Sequence, residues 1–174
     1  RVTPGVEAHT HEYIQTGQTD SKFGFDLAIG EAAEAVQIIL DKPALQLIGF
    51  HCHIGSQIFD VRGFEAAVDR MGRFMHDIRE RIGFTARVLN LGGGFGIRYT
   101  EEDKPLPIPV YVEALTNAVK RTFDAISYPY PEIHVEPGRS IVGEAGTTLY
   151  TVGTMKNIPG VRKYIAVDGG MTDN

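Results

Sequence analysis

The stretch Asn90-Leu91-Gly92-Gly93-Gly94-Phe95-Gly96 follows the short apolar run Val88-Leu89. The run reads as a buried strand, and three consecutive glycines strip every Cβ from the turn behind it. Such a turn lets backbone N–H groups converge on an anion with no side chain in the way, although the same residues also serve tight turns that hold no ligand. Two more polar segments favour the anion reading. His53-Ile54-Gly55-Ser56-Gln57 closes an apolar run upstream, and Glu136-Pro137-Gly138-Arg139 closes another downstream. Polar clusters at the carboxyl ends of three strands are the pattern of a ligand site on a parallel β/α barrel.

Outward from this centre, strands and helices alternate. Leu45–His53 is a mostly apolar strand, as expected when both faces of a sheet are covered. Phe64, Ala67, Val68, Met71, Phe74, Ile78 and Ile82 form one helical stripe, with Gly83 where a helix stops. Arg87–Leu91 is the next strand, and Arg98–Pro109 a charged loop. A second helix carries Val112, Leu115, Val119, Phe123 and Ile126 and is ended by Tyr128-Pro129-Tyr130-Pro131. Glu132–Val135 then forms a buried strand that delivers Glu136. Towards the start, Arg1–Val6 reads as a strand end closed by Pro4-Gly5, residues 7–21 as a long loop, and Lys22-Phe23-Gly24-Phe25 as the lead into a helix bearing Ala32, Ala35, Val36 and Ile39. This order predicts an α/β fold, a partial (β/α)8 TIM-type barrel over 1–139. Beyond it, Thr147–Val152 and Tyr164–Val167, separated by Lys156–Gly160, predict an antiparallel hairpin, the start of a C-terminal all-β domain over 140–174.

Composition narrows the class. The 174 residues are 43% hydrophobic and 22% charged, as in ordinary globular proteins. A net charge of -5 and a pI near 5.7 argue against nucleic acid or an anionic membrane as partner. Cys52 is the single cysteine, which excludes an internal disulfide framework and fits a reducing cytoplasm. The chain opens on Arg1-Val2-Thr3-Pro4 and stops after an apolar run at 164–167, so it reads as an internal piece of a longer protein.

Ser56 can add a hydroxyl, and Arg139 charge-assisted hydrogen bonds, to an anion in the triple-glycine turn. His51 and His53, two apart on a strand, face the side opposite Cys52, which disfavours a shared metal site. A histidine there stacks on a flat ring, carries a proton, or is simply a hydrogen-bonded core residue, the preferred reading for His51. Glu136 needs a partner at the end of its buried strand, either Arg139 or a protonated ring nitrogen of a ligand. Lys22, in a loop-to-helix context, reads as a surface or ion-pairing residue.

Taken together, His-Ile-Gly-Ser-Gln at 53–57, Gly-Gly-Gly-Phe-Gly at 92–96 and Glu-Pro-Gly-Arg at 136–139 resemble the pyridoxal-phosphate decarboxylases of the alanine-racemase-like barrel fold. His51-Cys52 ahead of the first motif and Val167-Asp168-Gly169-Gly170-Met171 near the end resemble its diaminopimelate-specific branch. Arg1–Gly5 and Ser21–Gly24 fit as well. The resemblance implies that His53 stacks on the pyridoxal 5'-phosphate ring, that Ser56, Gly92, Gly93 and Gly94 hold its phosphate, and that Glu136 pairs with the pyridine nitrogen. Pro137, Gly138 and Arg139 would line the cofactor pocket, with Arg139 meeting the phosphate, a substrate carboxylate, or both. His53 and Glu136 are thus the implied catalytic residues, with no metal involved.

The implied reaction is decarboxylation of meso-diaminopimelate to L-lysine and carbon dioxide, by a homodimer. The lysine that carries the cofactor and part of the substrate site would lie outside this chain, so the piece alone is expected to be inactive. Three rivals stand beside this reading. One is a decarboxylase of ornithine, arginine or a related basic amino acid on the same fold. Another is a non-catalytic relative acting as a binding or regulatory protein. The third is a phosphate-binding barrel enzyme without pyridoxal.

Overall fold

The structure is a computed structural model that describes residues 1–6 and 22–170. Two compact units divide it, residues 1–143 and 144–174. In the first, the element order is β1 (Val2–Thr3), β2 (Phe25–Asp26), α1 (Glu31–Leu40), β3 (Gly49–His51), α2 (Arg62–Ile82), β4 (Val88–Asn90), α3 (Ile108–Ala125), β5 (Glu132–His134) and the short α4 (Gly138–Val142). Strands β3, β4 and β5 form a parallel sheet in that order, and β1 pairs with β2 in parallel. The sheet is open and does not close into a barrel among the described residues.

Register explains how the sheet positions the site. Phe50, Leu89 and Ile133 lie in one cross-strand row, and His51, Asn90 and His134 in the next. Phe50 and Leu89 are buried with the helices, whereas His51 and Asn90 are only half-buried. The expectation of strands apolar on both faces is therefore corrected: this sheet has one apolar and one polar side. The strands are also shorter than their apolar runs, spanning three residues each. Strand β5 is exposed throughout, not buried, because among the described residues nothing pairs with its outer edge.

The helices carry the core. Along α2 the buried stripe is Phe64, Ala67, Val68, Met71, Met75 and Ile78, while Phe74 and Ile82 are partly buried at its margin. Gly83 ends the helix in the left-handed region at φ 79°, donating its N–H to the Arg79 carbonyl at 2.9 Å. The buried face of α3 centres on Tyr111, Leu115, Ala118, Val119 and Phe123, and Val112 is exposed. Tyr111 was missed because its hydroxyl looks polar in sequence. That hydroxyl donates to the Ile58 carbonyl at 2.6 Å, which leaves the ring free to pack on Phe95 and Phe64 with centroids 4.9 and 5.9 Å away.

Two more boundaries differ from expectation. Phe25–Asp26 is strand, not helix lead, because the Asp26 carboxylate accepts from the Ala28 and Ile29 N–H groups at 2.6 and 3.2 Å and turns the chain before α1. Pro109 lies inside the first turn of α3, where its missing N–H costs nothing. The same helix ends at Ala125, ahead of the prolines, because Tyr128 is pinned elsewhere: its buried hydroxyl accepts from the Ala86 N–H at 2.7 Å. The loop expected over residues 7–21 and the motif residue Met171 lie outside the described residues.

In the second unit, β6 (Val152–Ile158) and β7 (Arg162–Val167) pair antiparallel around Pro159–Val161. The hairpin is present but begins later than expected, and Thr147–Thr151 form no strand. Asp168 accepts from the Thr151 N–H at 2.8 Å, which holds its carboxyl below the usual range.

Replacing Tyr128 by Phe strands the buried Ala86 N–H. The expected cost is about 1–3 kcal/mol, read as a lower denaturant midpoint with unchanged slope in the full-length protein that carries this chain. An unchanged midpoint would show that this bond does not stabilise the β4 entry.

Candidate functional site

The carboxyl ends of β3, β4 and β5 meet at one place because their turns interlock. An added Cβ at Gly93 would lie 2.0 Å from the Glu136 carbonyl oxygen, and one at Gly94 would lie 2.1 Å from the Gly55 carbonyl oxygen. Gly94 also holds φ 96°, a region that a side chain disfavours. The triple glycine is thus a contact surface, touched on one side by the turn after β3 and on the other by the turn after β5. Backbone bonds tie the three together: Ile58 N–H donates to the Gly94 carbonyl at 2.9 Å, and Glu136 N–H to the Gly92 carbonyl at 2.8 Å.

Phe95 and Gln57 fix this arrangement to the rest of the unit. Phe95 is 2% exposed and stacks between Phe64 of α2 and Tyr111 of α3. Gln57 clamps the Ile97 backbone, its amide donating to the carbonyl at 3.0 Å and accepting from the N–H at 2.9 Å. The last residue of the His-Ile-Gly-Ser-Gln motif therefore serves the neighbouring motif. Sequence alone assigns Gln57 no role, because its partner lies 40 residues away.

A cleft of about 190 Å³ opens over these turns, lined by His53, Ser56, Gly94, Phe95, Glu136, Pro137, Gly138, Arg139 and Ser140. Seven of the nine residues expected from sequence line it. The other two, Gly92 and Gly93, are buried behind it. Their N–H groups are engaged within the protein, Gly92 donating to Asn90 Oδ1 at 2.9 Å and Gly93 to His53 Nδ1 at 3.3 Å. Among the described residues, the Gly94 N–H, the Ser56 hydroxyl and the Arg139 guanidinium have no hydrogen-bond or carboxylate partner. The guanidinium instead lies 5.5 Å from the centre of the Tyr99 ring. One amide, one hydroxyl and one cation thus face the same cleft, a donor set suited to an anion.

Two sequence readings need correction. Glu136 does not pair with Arg139; its Oε1 accepts from Asn90 Nδ2 at 2.8 Å. The hydrogen-bonded reading of His51 is not met at Nε2, which is sealed from solvent and has no partner among the described residues, 3.7 Å from Glu136 Oε1. Lys22 is exposed beside the Phe23 ring, in keeping with a surface role. Asn90 went unrecognised because an amide at a strand end gives no pattern of its own.

Burial lowers the pKa of His51, against the Glu136 carboxylate, which raises it. It does the same to His53, aided by the Arg1 cation and opposed by Glu136. The neutral form is also the one that lets Nδ1 accept the Gly93 N–H. Cys52, fully buried on the opposite side of β3, has its thiol pushed up to about 12 by desolvation, which makes it inert.

Residues 1–143 match the family model described as pyridoxal-dependent decarboxylase, pyridoxal binding domain. The chain belongs to the pyridoxal-dependent decarboxylases. Among curated proteins it is 58% identical to diaminopimelate decarboxylase of Bacillus subtilis (strain 168), over all of this chain and 40% of that protein. It is 50% identical to the enzyme of the same name from Staphylococcus aureus (strain COL), again over all of this chain and 40% of the relative. A crystal structure of diaminopimelate decarboxylase from M. jannaschii superposes with a TM-score of 0.76 at 34% identity, covering 99% of this chain and 39% of that one. The Helicobacter pylori enzyme, complexed with L-lysine, gives 0.71 at 30% identity over 99% of this chain and 40% of the other. The chain therefore spans about 40% of the length of the decarboxylases it matches, and the cofactor of its family is pyridoxal phosphate.

Gly94→Ala must displace the Gly55 carbonyl and adopt a strained φ, at an expected cost of about 2–5 kcal/mol. Gly138→Ala meets nothing within 4 Å and should leave the thermal midpoint of the protein unchanged; equal midpoints for the two variants would refute the interlock. For His53, the folded-state pKa lies below the ordinary 6.5, so the unfolded chain binds the proton more tightly. The stability of the neutral ring is present above about pH 6.5 and is lost as pH falls through the folded value. Cofactor-free protein should accordingly lose urea resistance as pH falls below about 6.5, relative to a His53→Asn variant, whose amide oxygen does not titrate. Parallel pH curves would exclude His53 as the source.

Proposed function

We propose that this chain is the cofactor-binding part of a longer diaminopimelate decarboxylase, an enzyme that removes one α-carboxylate from meso-diaminopimelate to give L-lysine and carbon dioxide in lysine biosynthesis. The observation that carries the proposal is the single cleft that gathers His53, Ser56, Gly94, Glu136 and Arg139, in a chain whose relatives bear that enzyme's name. In this reading residues 1–139 belong to a (β/α)8 barrel completed by chain outside 1–174, and 140–174 begin a C-terminal β domain. The parent works as a cytoplasmic homodimer.

The donor set suits pyridoxal phosphate. Among the described residues the Gly94 N–H, Ser56 hydroxyl and Arg139 guanidinium are unclaimed by protein acceptors, and they would hold the phosphate. Gly92 and Gly93 serve by carrying no side chain, which lets the turns close beneath it. His53, neutral and half-buried, offers its ring face for stacking on the pyridine. Among the described residues Glu136 Oε2 has no hydrogen-bond partner, and it would accept the proton-bearing ring nitrogen and keep it charged. Bound pyridoxal phosphate supplies an electron sink for the electron pair left when the carboxylate departs. The protein's part is to hold, orient and electrostatically bias that group.

The test is carbon dioxide release by the full-length parent with added pyridoxal phosphate, from meso-diaminopimelate, ornithine and arginine in parallel. Selective turnover of diaminopimelate is expected, falling at least about 100-fold in Glu136→Ala. Selective turnover of ornithine or arginine would overturn the substrate assignment while leaving the cofactor reading in place. Bound cofactor with no turnover of any would point to a non-catalytic relative.

A further inference from the structure

We propose that Asn90 is a positioning residue for Glu136: its side-chain amide holds one carboxylate oxygen and so aims the other at the cofactor ring. The proposal rests on the reading of Glu136 as ring-nitrogen partner given above.

Asn90 is the last residue of β4, in register with His51 of β3 and His134 of β5. Both halves of its amide are used. Nδ2 donates to Glu136 Oε1 at 2.8 Å, while Oδ1 accepts the Gly92 N–H at 2.9 Å. The Gly92 carbonyl in turn accepts the Glu136 N–H at 2.8 Å. These three bonds form a closed ring from Asn90 through Gly92 to Glu136 and back. A flipped amide would set oxygen against carboxylate and N–H against N–H, so the ring admits one orientation.

The tether answers a specific need. The Glu136 side chain is 53% exposed, sits on a flexible three-bond stem, and has a competing partner. His51 Nε2 lies 3.7 Å from the same oxygen, buried and without a hydrogen bond among the described residues. A swing of the carboxylate toward His51 would satisfy that nitrogen and carry Oε2 away from the cleft. The shorter Asn90 bond decides where the carboxylate stays, because a hydrogen bond weakens steeply with distance.

The experiment uses full-length holoenzyme with Asn90→Asp, Asn90→Ser, Glu136→Gln and the double variant Asn90→Ser/Glu136→Gln. Aspartate and serine both keep an acceptor for the Gly92 N–H; an ionised aspartate has no donor for Glu136, and the serine hydroxyl ends one bond short of the amide nitrogen's position. The expected result for both is a kcat lower by roughly 10- to 100-fold with KM changed less than about twofold. The absorption maximum of bound cofactor should shift in the direction seen for Glu136→Gln, with the thermal midpoint of the cofactor-free protein unchanged. The double variant should be no slower than Glu136→Gln alone, because Asn90 acts through that carboxylate. Wild-type kcat and spectrum in both single variants would overturn the proposal, as would multiplied losses in the double variant. A lowered midpoint with an unshifted spectrum, or failure of both variants to fold, would make Asn90 a residue of the turn and nothing more. An unaltered spectrum in Glu136→Gln would remove the reading of Glu136 and this proposal with it. A spectral shift in Glu136→Gln that is absent from the Asn90 variants would overturn the proposal alone.

Discussion

Everything at this site depends on how closely three turns approach. The backbones after β3, β4 and β5 touch at Gly93 and Gly94, where a methyl group would sit about as far from a neighbouring carbonyl oxygen as a bonded hydrogen does. Because the turns touch, their backbone groups satisfy one another across the strands, and Phe95 sinks between α2 and α3. Each aromatic contact of that kind adds about 0.5–1.5 kcal/mol beyond the area buried. The glycines therefore connect the hydrophobic core to the floor of the cleft. A change at one of them is felt by both.

Above that floor the chemistry is divided by position. On the helix side of β3, Phe50 and Cys52 are packed away and chemically quiet. On the other side, His51, His53 and Asn90 are only half-buried, which is enough to keep the imidazoles neutral without costing full desolvation. Negative charge enters through Glu136 at one end of the cleft and positive charge through Arg139 three residues later. The two are kept apart by Asn90 and Tyr99, which hold the carboxylate and the guanidinium respectively. Had Glu136 and Arg139 paired with each other, each would have been lost to a ligand.

Asn90 illustrates how small a set of bonds can set a site's geometry. Its amide reads a backbone N–H with one atom and a carboxylate with the other. The carboxylate's orientation is thereby tied to the same turn that forms the cleft floor. The strand ends of β3, β4 and β5 thus cross-brace one another.

Local sequence determined the alternating α/β order, the stripe along α2 with its stop at Gly83, and the three polar motifs at strand ends, because period, capping and glycine content act over a few residues. The motifs also named the residues that meet in the cleft. What sequence could not supply was anything set by a contact between distant segments. Val112 and Tyr111 are equivalent by period, and only the Ile58 carbonyl, 53 residues away, decides that Tyr111 turns inward. The end of α3 was placed at the prolines, whereas the bond from Ala86 to Tyr128 draws the chain off earlier. Glu136 and Arg139 are near in sequence, which left their pairing open as one of two alternatives, but a short turn points side chains by its backbone torsions, and the donor to the carboxylate comes from the adjacent strand. Tertiary structure alone chose Asn90 as that donor, since register across a parallel sheet is fixed by the packing of whole strands and helices and leaves no mark on the residues it brings together.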